Sequence, residues 1–262
     1  MSVISFNTTG ENSLGWRLGN QMFQYASLLG IATKNGLTPY FNITNTYLGE
    51  CFNLGGVENK IQHESHHKLF DGNSFFNPAL MNLDSNYNYD LNGYLQTEKY
   101  FSHCSSEVKK EFQFKDKIRE QAEKFLPEDK LVSLHVRRGD YLDKPEYHTN
   151  LQIAYYENAM RQFPDLTPIV FSDDITWCRQ NLSHISNEVH FSDNPPEDGD
   201  IGVYVDLCMM TLCDAHVIAN SSFSWWGAYL GGGTTIAPSK WNGPNGPQNF
   251  QDIYLEEWIV CD

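Results

Sequence analysis

The carboxy-terminal half of the chain alternates short apolar runs with segments of helical spacing. LVSLHV (131–136) is a continuous β-rich run between polar residues, which predicts a buried strand. TPIVFSD (167–173), EVHFSD (188–193), HVIANSS (216–222) and TTIAPS (234–239) predict four more. Between them NLQIAYYENAMRQF (150–163), DITWCRQNL (174–182), DIGVYVDLCMMTLCD (200–214) and FSWWGAYLGG (223–232) read as helices. Asn150 and Asp174 are placed to cap the first two, and glycines end the last. Strands alternating with helices in this way predict a parallel sheet covered on both faces.

The amino-terminal half is less regular. LGNQMFQYASLLGIATKNG (18–36) predicts a helix with Asn20 near its start and Gly36 beyond its end. KKEFQFKDKIREQAEKFL (109–126) predicts a second helix. Between them lie TPYFN, the Asn/Tyr-rich DSNYNYDLNGYLQ (84–96) and several short loops. A domain boundary is expected near LPEDK (126–130), which gives lobes 1–128 and 129–262.

Composition narrows the function classes. The chain has 262 residues, 33 Asp and Glu against 18 Lys and Arg, and a formal net charge of -15. Such a surface excludes non-specific nucleic-acid binding, which needs a basic face. None of the six cysteines forms a CxxC pair, so a zinc ribbon or redox motif is not indicated. No signal-peptide pattern opens the chain, and no apolar window is long enough to span a bilayer. The expectation is a cytoplasmic protein without a transmembrane segment, peripheral docking at a membrane being left open.

Against that acidic background HVRRGDY (135–141) sets two fixed cations side by side, just past a predicted strand. Ligands of doubly wound sheets bind outside the carboxyl ends of the strands. Successive strand residues point to opposite faces, so Arg137 and Arg138 should diverge, one meeting a ligand while the other braces the loop, with Asp140 as its partner. A guanidinium fork suits phosphate or carboxylate. The alternative is simple ion pairing. NSSFSWWG (220–227) stands at another strand end and opens a helix, where Ser221, Ser222 and free backbone N–H groups favour an anion. Its alternative is capping by Ser222 with Trp225 and Trp226 in the core. FSDD (171–174) supplies Asp173 for a ribose or base and Asp174 as a cap. No GxxxxGK[ST] or GxGxxG is present, which argues against a P-loop ATPase or a dinucleotide oxidoreductase. HESHH (63–67) formally fits a zinc-hydrolase motif but has polar, loop-like flanks, and Asp198 and Asp200 in DGD read better as a loop and an N-cap than as metal ligands.

Together these residues resemble the α-1,2-fucosyltransferase family of inverting glycosyltransferases. HVRRGDY is similar to its HxRRxDY signature, and RLGNQMFQYA (17–26) to its amino-terminal signature. In the latter Trp16 and Arg17 stand where Gly-Gly is usual. GYLQTEKYF (93–101), FSDD and NSSFSWWGAYL resemble further blocks, so the likeness spans about residues 14–240. It implies an α/β, GT-B-like fold of two Rossmann-like lobes with a central cleft. The carboxy-terminal lobe would bind GDP-β-L-fucose and the amino-terminal lobe a galactose-terminated, possibly lipid-linked, glycan. Fucose would pass to the galactose 2-hydroxyl without metal or cofactor, GDP-fucose being the donor substrate. The resemblance makes Arg138 the leading diphosphate ligand, with Arg137, Asn220, Ser221 and Ser222 beside it and Asp173 toward the nucleoside. Arg17, Gly19 and Asn20 are further donor-binding candidates. Asp140 and Glu98 are candidate bases, and His135 could orient a hydroxyl or simply pack in its strand. Tyr94, Trp225 and Trp226 could stack on a sugar. The alternatives are a GDP-fucose transferase of other linkage, such as α-1,6, and an inactive glycan-binding protein.

Overall fold

The computed structural model describes residues 2–6, 17–44, 46–55, 57, 67–71, 75–193 and 201–262. They form two compact units, Met1–Lys115 with Asn249–Leu255, and Asp116–Gln248 with Glu256–Asp262. HESHH up to His66, Trp16, Asp198 and Asp200 lie outside the described residues.

The first unit is built on a parallel sheet of β1 (Val3–Phe6), β2 (Thr38–Phe41), β3 (His67–Asp71) and β4 (Tyr89–Gly93), in the order β2-β1-β4-β3. The Asn/Tyr-rich stretch, which has no clear element in the sequence, thus contains a strand. In it buried Tyr89 and Leu91 alternate with the more exposed Asp90 and Asn92, the period of a half-buried strand. Helix α1 (Leu18–Asn35) is buried on nearly every side, which explains its apolar residues beyond one stripe. Its buried polar groups are satisfied by the segment after β4: Gln24 Nε2 donates to the Gly93 carbonyl at 3.2 Å and Ser27 Oγ to the Leu95 carbonyl at 3.1 Å. Gly36, at φ 66°, closes the helix in the left-handed conformation.

Gly30 marks the closest approach of α1 to the turn at 98–104. A Cβ there would lie 2.2 Å from the Tyr100 carbonyl oxygen and 2.7 Å from Phe101 Cα, both backbone. Gly30→Ala is therefore expected to destabilise the protein by about 3 kcal/mol, an overpacking cost that far exceeds the gain in helix propensity. Urea titration measures this, and an alanine variant as stable as the wild type would refute the close packing.

The expected helix at 109–126 is two helices, α3 (Ser105–Glu111) and α4 (Asp116–Phe125). The break falls where the Asn53 N–H donates to the Gln113 carbonyl and the Lys115 N–H to the Cys51 carbonyl, just after α2 (Tyr47–Cys51). Phe52 packs between Phe112 and Phe114, at ring-centroid distances of 5.0 and 4.9 Å. Side-chain packing outweighs helical continuity there. The units consequently part at Lys115/Asp116 rather than at 128/129.

The second unit is a six-stranded parallel sheet of β5 (Leu131–Val136), β6 (Thr167–Ser172), β7 (His190–Phe191), β8 (Ala215–Val217), β9 (Thr234–Pro238) and β10 (Ile259–Cys261). Its order is β10-β9-β8-β5-β6-β7, so the winding reverses between β5 and β8. This is the doubly wound order, with its topological switch point beside β5. The helices are α5 (Gly139–Leu142), α6 (Ile153–Met160), α7 (Ile175–Leu182), α8 (Ile201–Thr211) and α9 (Ser222–Gly231). Val132, Leu134, Val136, Val170, Val217 and Ile236 from the sheet bury against Tyr155, Tyr156 and Met160 of α6, while α4 packs on α8 and α8 on α9.

Three expected elements differ clearly in extent. The strand expected at 188–193 is only His190–Phe191. The strand expected at 216–222 stops at Val217, because the Ser221 N–H bonds back to the Ala219 carbonyl at 2.8 Å and turns the chain into α9. The helix expected from Asn150 begins at Ile153, and Gln152 occupies the cap position without a side-chain bond. Thr149 is instead tied into a loop, its Oγ1 donating to the Asn242 carbonyl at 2.9 Å. No helix among the described residues is long and apolar enough to cross a membrane.

Candidate active site

At the switch point β5 and β8 run side by side in register. Their carboxyl ends, together with that of β6, bring HVRRGDY, NSSFSWWG and FSDD together.

Both arginines are ion-paired, and they differ in what remains free. Arg137 Nη1 bonds Asp173 Oδ2 at 2.8 Å, and Nη2 bonds Asp140. Its Cζ lies 5.1 Å from the Tyr141 ring centroid, and Tyr141 stacks on His148 at 4.0 Å with an interplanar angle of 8°. The Tyr141 hydroxyl donates to the Asn220 carbonyl at 3.2 Å, which ties this loop to the start of α9. Arg137 is thus engaged at both ends of its fork and braces the loop.

Arg138 is held differently. Its backbone N–H donates to Asp173 Oδ1 at 2.9 Å and its Nε to Asp174 Oδ2 at 3.2 Å. The guanidinium lies over Trp177, with Cζ 3.8 Å from the ring centroid. Nη1 and Nη2 make no hydrogen bond among the described residues. Asp174 does two jobs, since its Oδ1 also caps α7 by accepting the Trp177 N–H at 3.1 Å.

Asp173 organises the loop: its two oxygens serve Arg137 and the Arg138 backbone. It also explains Gly139. A Cβ at that residue would sit 2.4 Å from Asp173 Oδ2, so a larger residue there would displace the carboxylate that holds the arginines. Asp140 is exposed and paired to Arg137.

The α9 side is equally specific. Asn220 is 2% exposed, and its Nδ2 donates to the carbonyls of Thr149 at 3.0 Å and Trp241 at 2.7 Å. Its amide hydrogens are used in holding two neighbouring loops. Ser221 caps α9 by accepting the Phe223 N–H at 3.3 Å, while Ser222 is half-buried in the first turn. The α9 amino terminus, with its partial positive charge, therefore opens beside the arginine loop. Trp225 and Trp226 are fully buried, Trp225 stacking on Tyr229 at 4.9 Å, so both are core residues.

His135 is buried in β5 with Nδ1 2.9 Å from Ser224 Oγ of α9. Burial, reinforced by the Arg137 charge, pushes its pKa down to about 3. The imidazole is neutral near pH 7 and is held as a packed strand histidine.

In the first unit Arg17 stands exposed at the start of α1, its carbonyl accepting the Asn20 N–H at 3.0 Å. Gly19 is buried, and Asn20 Oδ1 accepts from Gln96 Nε2 at 2.8 Å. The RLGNQ and GYLQTE blocks are therefore one local structure. Leu95 between Tyr94 and Gln96 is held at φ 52°, unusual for a branched side chain and of the kind that accumulates at functional sites. Tyr94 is 42% exposed, and Glu98 is half-buried at the head of the turn Glu98–Tyr100.

Asp129, Glu188 and His190, grouped within 4.8 Å, are the one set of side chains among the described residues that could hold a metal ion. They lie by the amino ends of β5 and β7, away from the arginine loop. Sequence reasoning missed Trp177 and the Tyr141–His148 stack. The available signal was position: Trp177 lies in the first turn of a helix that starts at a strand's carboxyl end.

The model of Glycosyl transferase family 11 matches residues 4–262. Galactoside alpha-(1,2)-fucosyltransferase 2 of Oryctolagus cuniculus is 27% identical over 274 residues, covering 95% of this chain and 75% of that protein. Galactoside 2-alpha-L-fucosyltransferase Sec1 of Mus musculus is 28% identical, covering 93% and 71%. Among solved structures, the fucosyltransferase NodZ from Bradyrhizobium aligns with TM-score 0.56 at 13% identity, over 88% of this chain and 94% of that one. A GDP complex of an Arabidopsis thaliana FUT1 mutant aligns with TM-score 0.57 at 10% identity, over 90% and 70%. The fold is thus the α/β, GT-B-like fold of these enzymes.

Proposed function

Since this chain belongs to glycosyl transferase family 11, we propose that it transfers L-fucose from GDP-β-L-fucose to the 2-hydroxyl of a terminal galactose, with inversion. The galactoside α-(1,2) naming of its relatives favours this linkage over α-1,6 or a peptide product. The observation that carries the assignment is the switch point, where the Arg138 fork and the α9 amino terminus face one edge of a doubly wound sheet.

The chemistry follows from where charge develops. The galactose 2-oxygen attacks the anomeric carbon of fucose from the face opposite the phosphate. The bond from that carbon to the phosphate oxygen breaks, and its electron pair leaves on GDP. Arg138 and the helix-end N–H groups stabilise that negative charge in place. The hydroxyl proton goes to a carboxylate, for which Asp140 and Glu98 are the candidates. Arg137 keeps the loop in shape, and Arg17, Gly19 and Asn20 are the first unit's candidates for contact with the donor. The second unit takes the donor and the first the acceptor. The proposed reaction uses neither a metal nor a cofactor.

Incubating the purified protein with GDP-fucose and a β-galactosyl disaccharide should give a product whose NMR spectrum carries an α-1,2-fucosyl linkage, at a rate unchanged by EDTA. An α-1,6 product overturns the linkage. A metal-reversible loss overturns metal independence. A protein that binds the disaccharide but neither GDP nor GDP-fucose is a glycan-binding protein instead.

A further inference from the structure

We infer that Trp177 is a positioning residue for the donor site, a plate that fixes the plane of the Arg138 guanidinium so that its Nη1 and Nη2 present a ready fork to a nucleoside diphosphate. This rests on the assignment of Arg138 as diphosphate ligand.

Arg138 has a long, flexible stem, and an unsupported guanidinium would lose rotamer freedom on meeting its anion. Here two neighbours settle its pose beforehand. Asp174 accepts from Nε at 3.2 Å, at one edge of the group. The Trp177 ring lies under the face, 3.8 Å from Cζ. The Trp177 side chain is itself packed against the apolar core of the second unit, and its backbone N–H is tied to Asp174 Oδ1 at 3.1 Å. One carboxylate therefore sets the tryptophan backbone and the arginine edge together. The two nitrogens left over are the pair that takes phosphate oxygens bidentately. A ring face also attracts the cation without competing for its N–H donors, unlike a further carboxylate, which would oppose the incoming anion. The same geometry explains why lysine would not serve: an ammonium has no plane for the ring to fix.

The test compares Trp177→Leu, Trp177→Phe and Arg138→Ala with the wild type in calorimetric binding of GDP, in competition binding of guanosine, and in thermal unfolding. Trp177→Leu is expected to weaken GDP binding about tenfold, the size of a partly desolvated cation–π contact, and to leave guanosine binding unchanged. Trp177→Phe should restore most of the loss, because it returns an aromatic face. Equal losses for GDP and guanosine, or a lowered melting temperature with no rescue by Phe, would mean that Trp177 only supports the fold. GDP affinity intact in Trp177→Leu but lost in Arg138→Ala overturns the positioning role while leaving the donor-site assignment standing. GDP affinity intact in Arg138→Ala removes the assignment itself.

Discussion

Arg138→Ala is expected to lower kcat/KM for fucosyl transfer about 10³-fold in a protein that remains folded. Loss of one preorganised charge or donor from a developing anion typically costs about 3–4 kcal/mol in the transition state. Among the described residues, Arg138 keeps both Nη groups without a hydrogen-bond partner. The fold should tolerate the change. The Asp174 side chain is 36% exposed and can be hydrated when its partner goes, and its cap on α7 does not depend on the arginine. Arg137→Ala should behave differently. It releases Asp173 and Asp140 together and removes the cation from the Tyr141 ring, so the loop itself loosens and thermal stability falls along with activity. Steady-state kinetics with circular dichroism on both variants checks the pair. A folded Arg138→Ala enzyme with near-normal turnover contradicts the donor-site assignment.

The second large effect is acid destabilisation driven by two buried histidines of the second unit. Burial pushes His216 down to about 4, with the Gly232 carbonyl and Asp214 opposing the shift only in part. His135 is pushed down to about 3. The Gly232 carbonyl, 2.6 Å from His216 Nε2, can only accept, so the proton is on Nε2 and Nδ1 accepts from Ser133 Oγ at 2.8 Å. Both folded pKa values lie below the unfolded one, so the unfolded chain binds more protons as the pH falls below about 6.5. Stability is therefore full above that value and declines through the window down to about 4 and 3, at roughly 1.4 kcal/mol per pH unit for each ring. Between pH 7.5 and pH 4.5 the loss is expected to be on the order of 5 kcal/mol. His216→Gln should be less stable at pH 7.5 yet lose about half as much on acidification. Urea unfolding across the pH series measures this, and a wild-type stability that is flat over the range contradicts the neutral buried imidazoles.

Residues 131–136, 167–172, 175–182 and 222–231 were legible because each carries its own period and its own punctuation, as in Asp174, which caps α7 as its position suggested. The β4 strand was hidden because Asn and Asp on its exposed positions resemble loop composition, while only Tyr89 and Leu91 reveal the alternation. The break between α3 and α4 was hidden for a different reason. Phe114, Ile118 and Ala122 carry a helical spacing through the break, and only the packing of Phe112 and Phe114 against Phe52 shows the interruption. For the site, the motif blocks named the right neighbourhood without distributing roles inside it. Nothing in HVRRGDY distinguishes a bracing Arg137 from an Arg138 with free donors, and nothing in FSDD tells that Asp173 fills the space over Gly139.

By itself, the sequence determined the alternation of strands and helices in the second unit and the polar residues at its strand ends, because local propensity and hydrophobic period are written in adjacent residues. Tertiary structure decided the strand order that brings those ends together, the division at Lys115, and the pairing of Arg137 with Asp173 and of Arg138 with Asp174. These depend on groups 35 or more positions apart in the chain, such as the Arg138 N–H on Asp173 and the Tyr141 hydroxyl on Asn220. Their meeting is set by how the sheet winds, which no local pattern encodes.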